Sequence, residues 1–89
     1  MRVLVSPTFS RAVKRLHKNQ KADLDDAVRE ISADPTLGEA KVGDLAGVRV
    51  FKFKLVKQLC LLAYAQPDEE TIKLLALGTH ENFYSDLKR

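Results

Sequence analysis

The chain has one cysteine, no tryptophan, three prolines and two histidines among its 89 residues. A single thiol can build neither a disulfide framework nor a cysteine metal cluster within one chain. The apolar run "QLCLLAYA" around Cys60 marks it as a small buried hydrophobe. No apolar stretch approaches the ~18 residues of a membrane span, and the N-terminus lacks the apolar core of a secretory leader. A cytoplasmic protein with no membrane partner is therefore expected. Walker loops, zinc-ligand spacings, EF-hands and G-x-S-x-G elements are missing, so no metal or cofactor is expected. Neither an internal repeat nor a low-complexity linker divides the chain, and residues 1–89 read as one domain with one small core.

What is present is a globular composition, 45% apolar and 30% charged. The net charge of +3 hides an uneven distribution. Residues 1–21 hold six basic side chains and no acid, whereas residues 22–40 hold six acids against Arg29. Residues 41–64 return to five basic side chains against Asp44. Blocks of this kind serve either as solvated faces or as a polyanion-binding surface.

"MRVLVS" alternates like a short strand, and Ser6-Pro7 supplies an N-cap followed by a proline at the first helical position. Phe9, Ala12, Val13 and Leu16 fall on one face of a helix, and Leu24, Ala27, Val28 and Ile31 repeat the pattern after the polar break "HKNQKAD". A Pro/Gly loop, "ADPTLGEAKVGDLAG", leads to three strand-like runs at Val48–Val56, Gln58–Ala65 and Thr71–Leu77. Lys57 marks a tight turn between the first two runs, and "QPDEE" turns the chain into the third. "HENFYSDLKR" reads as a short helix or an extended tail with Thr79 as a cap. The order β-α-α-β-β-β-(α) predicts an α+β domain, a helical hairpin packed on one face of a small antiparallel sheet. The other face is expected to be partly open.

On the first of the three runs, Lys52 and Lys54 alternate with Phe51, Phe53 and Leu55, so the lysines share one face roughly 7 Å apart. Arg49 has the phenylalanine parity, which predicts either a bulge near Val50 or Phe51 or an exposed strand end. His80 and Tyr84 are spaced i, i+4 and would share a helix face. Paired lysines that offset phosphorane charge, a histidine that moves a proton and a tyrosine that orients a base are suited to phosphodiester cleavage. RNA brings its own nucleophile, the 2′-hydroxyl.

Four segments carry a resemblance over nearly the whole chain: "F..AVKRL" from Phe9, "DP..GE.KVGDLAGVRVFKFK" from Asp34, "LCLLAY" from Leu59 and "LGTHENFYSDLKR" from Leu77. Together they resemble the RelE/ParE toxins of bacterial type II toxin–antitoxin systems. The resemblance implies a ribosome-dependent endoribonuclease, an mRNA interferase that inhibits translation and is masked by a cognate antitoxin. It also implies a toxin–antitoxin complex that reaches operator DNA through the antitoxin. Lys52 and Lys54 match the RelE-type lysine pair, one of them a base. His80 and Tyr84 resemble the C-terminal histidine and aromatic of the YafQ-like branch. Lys41, Arg49 and Lys57 complete the basic set expected to bind RNA. Leu61 stands where RelE has an arginine, and Thr79-His80 replaces a second one, with Arg49 a candidate substitute. The ParE-like branch shares the fold but poisons DNA gyrase without a nuclease site, and is the alternative reading.

Overall fold

The computed structural model of the protein describes residues 1–79. β1 (Arg2–Val5) leads into α1 (Pro7–Lys14) and α2 (Lys18–Ala33). A 3₁₀ turn at Pro35–Leu37, the two-residue β2 (Glu39–Ala40) and a second 3₁₀ turn at Gly43–Leu45 follow. β3 (Arg49–Leu55), β4 (Gln58–Asp68) and β5 (Thr71–Gly78) then form a meander. The two helices pack on one face of this five-stranded sheet, whose order is β1-β5-β4-β3-β2.

α1 has only eight residues, too few to be stable alone in water. Ser6 caps it by accepting the Phe9 N–H, Pro7 presets its first φ, and burial of Phe9 contributes about 1.5–3 kcal/mol. α2 begins earlier than its first periodic apolar residue: Lys18 to Asp23 join the helix, with the Gln20 side-chain oxygen accepting the His17 N–H. Leu24, Ala27 and Ile31 are its buried stripe, as the spacing predicted.

The sheet is mixed rather than wholly antiparallel. β1 pairs in parallel with β5, Arg2 opposite Thr71 through Val5 opposite Leu74. The two helices carry the chain to the far side of the sheet, and the antiparallel meander β3-β4-β5 then brings β5 back beside β1 in the same sense, which the alternation of "MRVLVS" cannot reveal. β4 runs on to Asp68, and Pro67 is accommodated at a register irregularity between Ala65 and Asp68.

The main core lies between helices and sheet, where Phe9, Leu24 and Ile31 meet Leu55, Cys60, Leu62, Tyr64, Ile72 and Leu74. The opposite face has an apolar patch of its own: Val50, Leu61, Ala63 and Ala76, with Val48 and Leu75 against it. Leu61 and Ala63 are fully buried there, so this face is less open than the sequence suggested. β4, at the centre of the sheet, is thus apolar on both sides.

Candidate functional site

β3 sorts its side chains without a break. Every residue from Arg49 to Leu55 pairs in register with β4, so no bulge interrupts this strand. Phe51, Phe53 and Leu55 therefore face the helices, and the two phenylalanine rings stack with centroids 6.2 Å apart. Lys52 and Lys54 are left exposed on the opposite face, called here the lysine face. Opposite them on β4 stand Leu61 and Leu59, the former fully buried and the latter 46% exposed. Among the described residues neither lysine is ion-paired. Two ammonium groups on one strand face, beside apolar neighbours, are suited to holding an anionic oxygen pair such as a phosphodiester.

The other expected basic residues are distributed around this pair. Lys57 is exposed in the turn between β3 and β4. Lys41 is half-buried, and its ammonium lies 3.4 Å from the carboxylate of Glu39. Arg49 lies across the sheet from Lys52 and Lys54. Its guanidinium donates to the carbonyl oxygens of Gly38 at 2.8 Å and Thr36 at 3.4 Å, which fixes it to the loop after α2. Arg49 does not share a surface with the lysine pair, so it does not stand in for the guanidinium that Leu61 lacks. His80 and Tyr84 lie outside the described residues.

Tyr64 is fully buried, yet its hydroxyl is hydrogen-bonded on both sides. Its hydroxyl donates to the Pro35 carbonyl at 2.6 Å and accepts the Gly38 N–H at 2.9 Å. Burial pushes its phenol above the ordinary value, opposed by the Gly38 hydrogen bond. Arg49 and Tyr64 together hold the Pro35–Gly38 loop. Asp34 caps that loop, accepting from the Thr36 hydroxyl at 2.6 Å and the Thr36 N–H at 3.1 Å, and those bonds lower its carboxyl below the usual range. Sequence reading missed this latch because its partners are main-chain atoms, which leave no residue pattern.

A cavity of about 250 Å³ opens on the helix side, lined by Ala12, Leu16, Leu55, Cys60 and Leu77 with Arg15 at its polar rim. Cys60 lies in its wall, and burial raises its thiol above the ordinary value. The thiol is therefore protonated and a weak nucleophile at neutral pH. Among the described residues no cluster of three histidine, cysteine, aspartate or glutamate side chains could hold a metal ion.

Comparison with solved structures gives the fold a clear context. E. coli RelE in the intact RelBE toxin–antitoxin complex superposes with a TM-score of 0.70 at 17% identity, covering 90% of this chain and 96% of that one. Isolated E. coli RelE gives 0.68 at 18% identity, covering 97% of this chain and 93% of that one. A doubly substituted E. coli RelE bound to a peptide of the antitoxin RelB gives 0.70 at 15%, covering 99% and 94%. At such identities the likeness is one of fold. No curated relative matches the chain. The sequence itself matches, over residues 3–88, the family described as ParE-like toxin of type II bacterial toxin–antitoxin system. The chain belongs to that family, and is a toxin of the RelE/ParE superfamily.

Proposed function

We propose that this toxin is an endoribonuclease that cleaves mRNA on the ribosome and is held inactive by its cognate antitoxin. The observation that carries the reading is the Lys52–Lys54 pair, exposed on one strand face and free of ion pairing among the described residues. In the proposed reaction the ribose 2′-oxygen attacks the adjacent phosphorus and the bond to the 5′-oxygen breaks. One lysine amine takes the 2′-hydroxyl proton, the other ammonium offsets the developing phosphorane charge, and His80 gives a proton to the leaving 5′-oxygen. Tyr84 orients the base at the cut. The products are a 2′,3′-cyclic phosphate and a 5′-hydroxyl end. Crystallised complexes of E. coli RelE with RelB support a protein antitoxin as the partner here. Basic side chains on α1, Arg11 and Lys14 among them, suit an acidic segment of that antitoxin.

A second reading, a gyrase poison without nuclease chemistry, is favoured by the ParE-like description of the matching family and by Leu61, a fully buried aliphatic where RelE has an arginine. Brief induction followed by mapping of RNA 5′ ends separates the two. New 5′-hydroxyl ends within translated codons, lost on His80→Ala, support cleavage. Intact mRNA with DNA breaks and filamentation transfers the assignment to gyrase.

A further inference from the structure

The two edges of the sheet are built differently. β2 is two residues long and bordered by charge, with Glu39 and Lys41 3.4 Å apart. Shortness and charge are devices that keep an edge strand from pairing with another chain. Over Val3–Val5, β1 has no charge, no proline and no bulge. Val3, Leu4 and Val5 are 42%, 47% and 52% exposed. An apolar edge in water is a template for a further strand.

The parallel pairing with β5 fixes which main-chain groups look outward. The Arg2 and Ser6 N–H groups donate to the carbonyl oxygens of Glu70 at 2.6 Å and Leu74 at 2.9 Å. Alternate residues of a strand address the same neighbour, so Arg2, Leu4 and Ser6 turn to β5 while Val3 and Val5 turn their N–H and C=O groups away from it. Among the described residues none of these outward groups has a partner. Leu4 shares the lysine face with Lys73, whereas Val3 and Val5 share the helix face with Ile72 and Leu74. The available edge stops at Ser6, because Pro7 has no N–H and opens α1. The Ser6 hydroxyl is already committed to the Leu75 carbonyl at 2.7 Å, where an extra residue between the Tyr64–Leu74 and Ala63–Ala76 pairs makes β5 change faces.

We propose that β1 is a self-association edge, on which a second copy of this chain pairs antiparallel about a two-fold axis at Leu4, Val3 against the partner's Val5. Val3-Leu4-Val5 reads the same in both directions. Antiparallel pairing sets outward residues against outward residues, and this register gives every outward N–H and C=O of Val3 and Val5 a partner. Valine then meets valine on the helix face and leucine meets leucine on the lysine face. Centring on Val3 instead would set Arg2 against the partner's Leu4, and centring on Val5 would set Val3 against a proline. Charge points to the same occupant. The seam itself is uncharged, and Arg2 at its end lies close enough to Asp68 of its own chain to feel that carboxylate. A segment that docks by charge finds nothing to read between Arg2 and Ser6, whereas an apolar palindrome fits its own copy. One strand pair buries on the order of a few hundred Å² per copy, below the ~800 Å² of a standard interface, so the dissociation constant is expected on the order of 10–100 µM. No seam residue belongs to the RNA-cleavage reading, and the proposal does not rest on it.

Sedimentation equilibrium of the chain free of antitoxin, from about 5 to 500 µM, tests the seam. A monomer–dimer equilibrium in that range is expected. It should tighten as salt rises, because each copy carries +3. Leu4→Lys sets two cations against each other at the axis, and Val3→Pro removes an outward N–H but no bond to β5. Each should weaken the dimer about 10-fold or more, with thermal melts showing that the variant folds; if Val3→Pro does not fold, Leu4→Lys decides. Cross-linking reads the register. Under mild oxidation Leu4→Cys should give a dimer joined through position 4 of both chains, since Cα atoms in such a pair lie about 4.5 Å apart. Val3→Cys should not, its two copies being out of register. A chain that stays monomeric to 500 µM without cross-linking, or a dimer indifferent to both Leu4→Lys and Val3→Pro, overturns the proposal. Preferential cross-linking of Val3→Cys overturns the pairing about Leu4. A monomeric chain whose Leu4→Lys variant instead loses affinity for the antitoxin assigns this edge to that partner and overturns self-pairing.

Discussion

The carboxylate of Asp23 on α2 accepts the backbone N–H of Val56, at the tip of the β3–β4 turn, at 2.6 Å. Val56 is the one non-glycine residue with positive φ among the described residues, at 62°. A β-branched side chain in the left-handed region is strained, and the first central position of a two-residue hairpin turn with positive φ normally carries glycine. Val56→Gly is therefore expected to raise stability by about 0.5–1 kcal/mol, the relief of strain exceeding the added freedom of the unfolded chain. Asp23→Ala is expected to lower it by about 1–2 kcal/mol. Urea unfolding of the two variants checks both signs, and a destabilised Val56→Gly would contradict the strain argument.

Tyr64 and Gly38 are coupled sterically as well as by their hydrogen bond. A Cβ on Gly38 would lie 2.5 Å from the Tyr64 hydroxyl oxygen and 2.7 Å from its ring, and the fully buried ring has no space to retreat into. Gly38→Ala is expected to cost about 2–3 kcal/mol. Tyr64→Phe leaves the Gly38 N–H buried without an acceptor and is expected to cost about 2 kcal/mol. Thermal melts provide the measurement, with roughly 4–8 °C of Tm lost per kcal/mol in a domain of this size.

Stability should also depend on pH at both extremes. Asp34, held below the ordinary carboxyl value of 3.8 by the Thr36 hydroxyl and N–H, contributes stability above that pH that is lost as pH falls through its lower folded value. Asp68, lowered chiefly by the Glu70 N–H, acts in the same direction. Tyr64 has the opposite sign. Its phenol is raised above 10.0 by burial, so its contribution is complete below that pH and is lost as pH rises through the folded value. Asp34→Asn should flatten the acid limb of a stability–pH profile, and Tyr64→Phe the alkaline limb. An alkaline limb of undiminished steepness in Tyr64→Phe would assign that loss to other groups.

Lys52→Ala and Lys54→Ala are surface changes, so folding stability should move by no more than about 0.5 kcal/mol. Cleavage on programmed ribosomes should fall by roughly 10²–10³ for each. Binding to single-stranded RNA should lose about 0.7 from the slope of log K against log salt for every phosphate contact removed. Unaltered cleavage in the double variant would remove the lysine pair from the site.

The faces of β3 were legible in sequence because one face meets water. Phenylalanine and lysine alternate there, and a period of two then reports orientation directly. The helical stripes of α1 and α2 were legible for the same reason, although α1 ends at Lys14 and Leu16 packs on the core from just beyond the helix. The Ser6 cap and Pro7 were read correctly from local chemistry alone. Arg49 was harder to place: its parity was visible, but not that its guanidinium turns to the Gly38 and Thr36 carbonyls.

Local sequence thus determined the longer helices and strands, though not the two-residue β2 inside the segment read as a loop, and it sorted the side chains wherever an element has one wet side. Tertiary structure alone decided that β1 runs parallel to β5, that Tyr64 and Arg49 latch the loop after α2, and that β5 changes faces at Leu75. "LLAL", Leu74–Leu77, is apolar on both sides of the sheet, so no alternation records its register. Where both faces are dry, orientation is set by which main-chain groups find partners, and those partners come from residues as distant as Ser6.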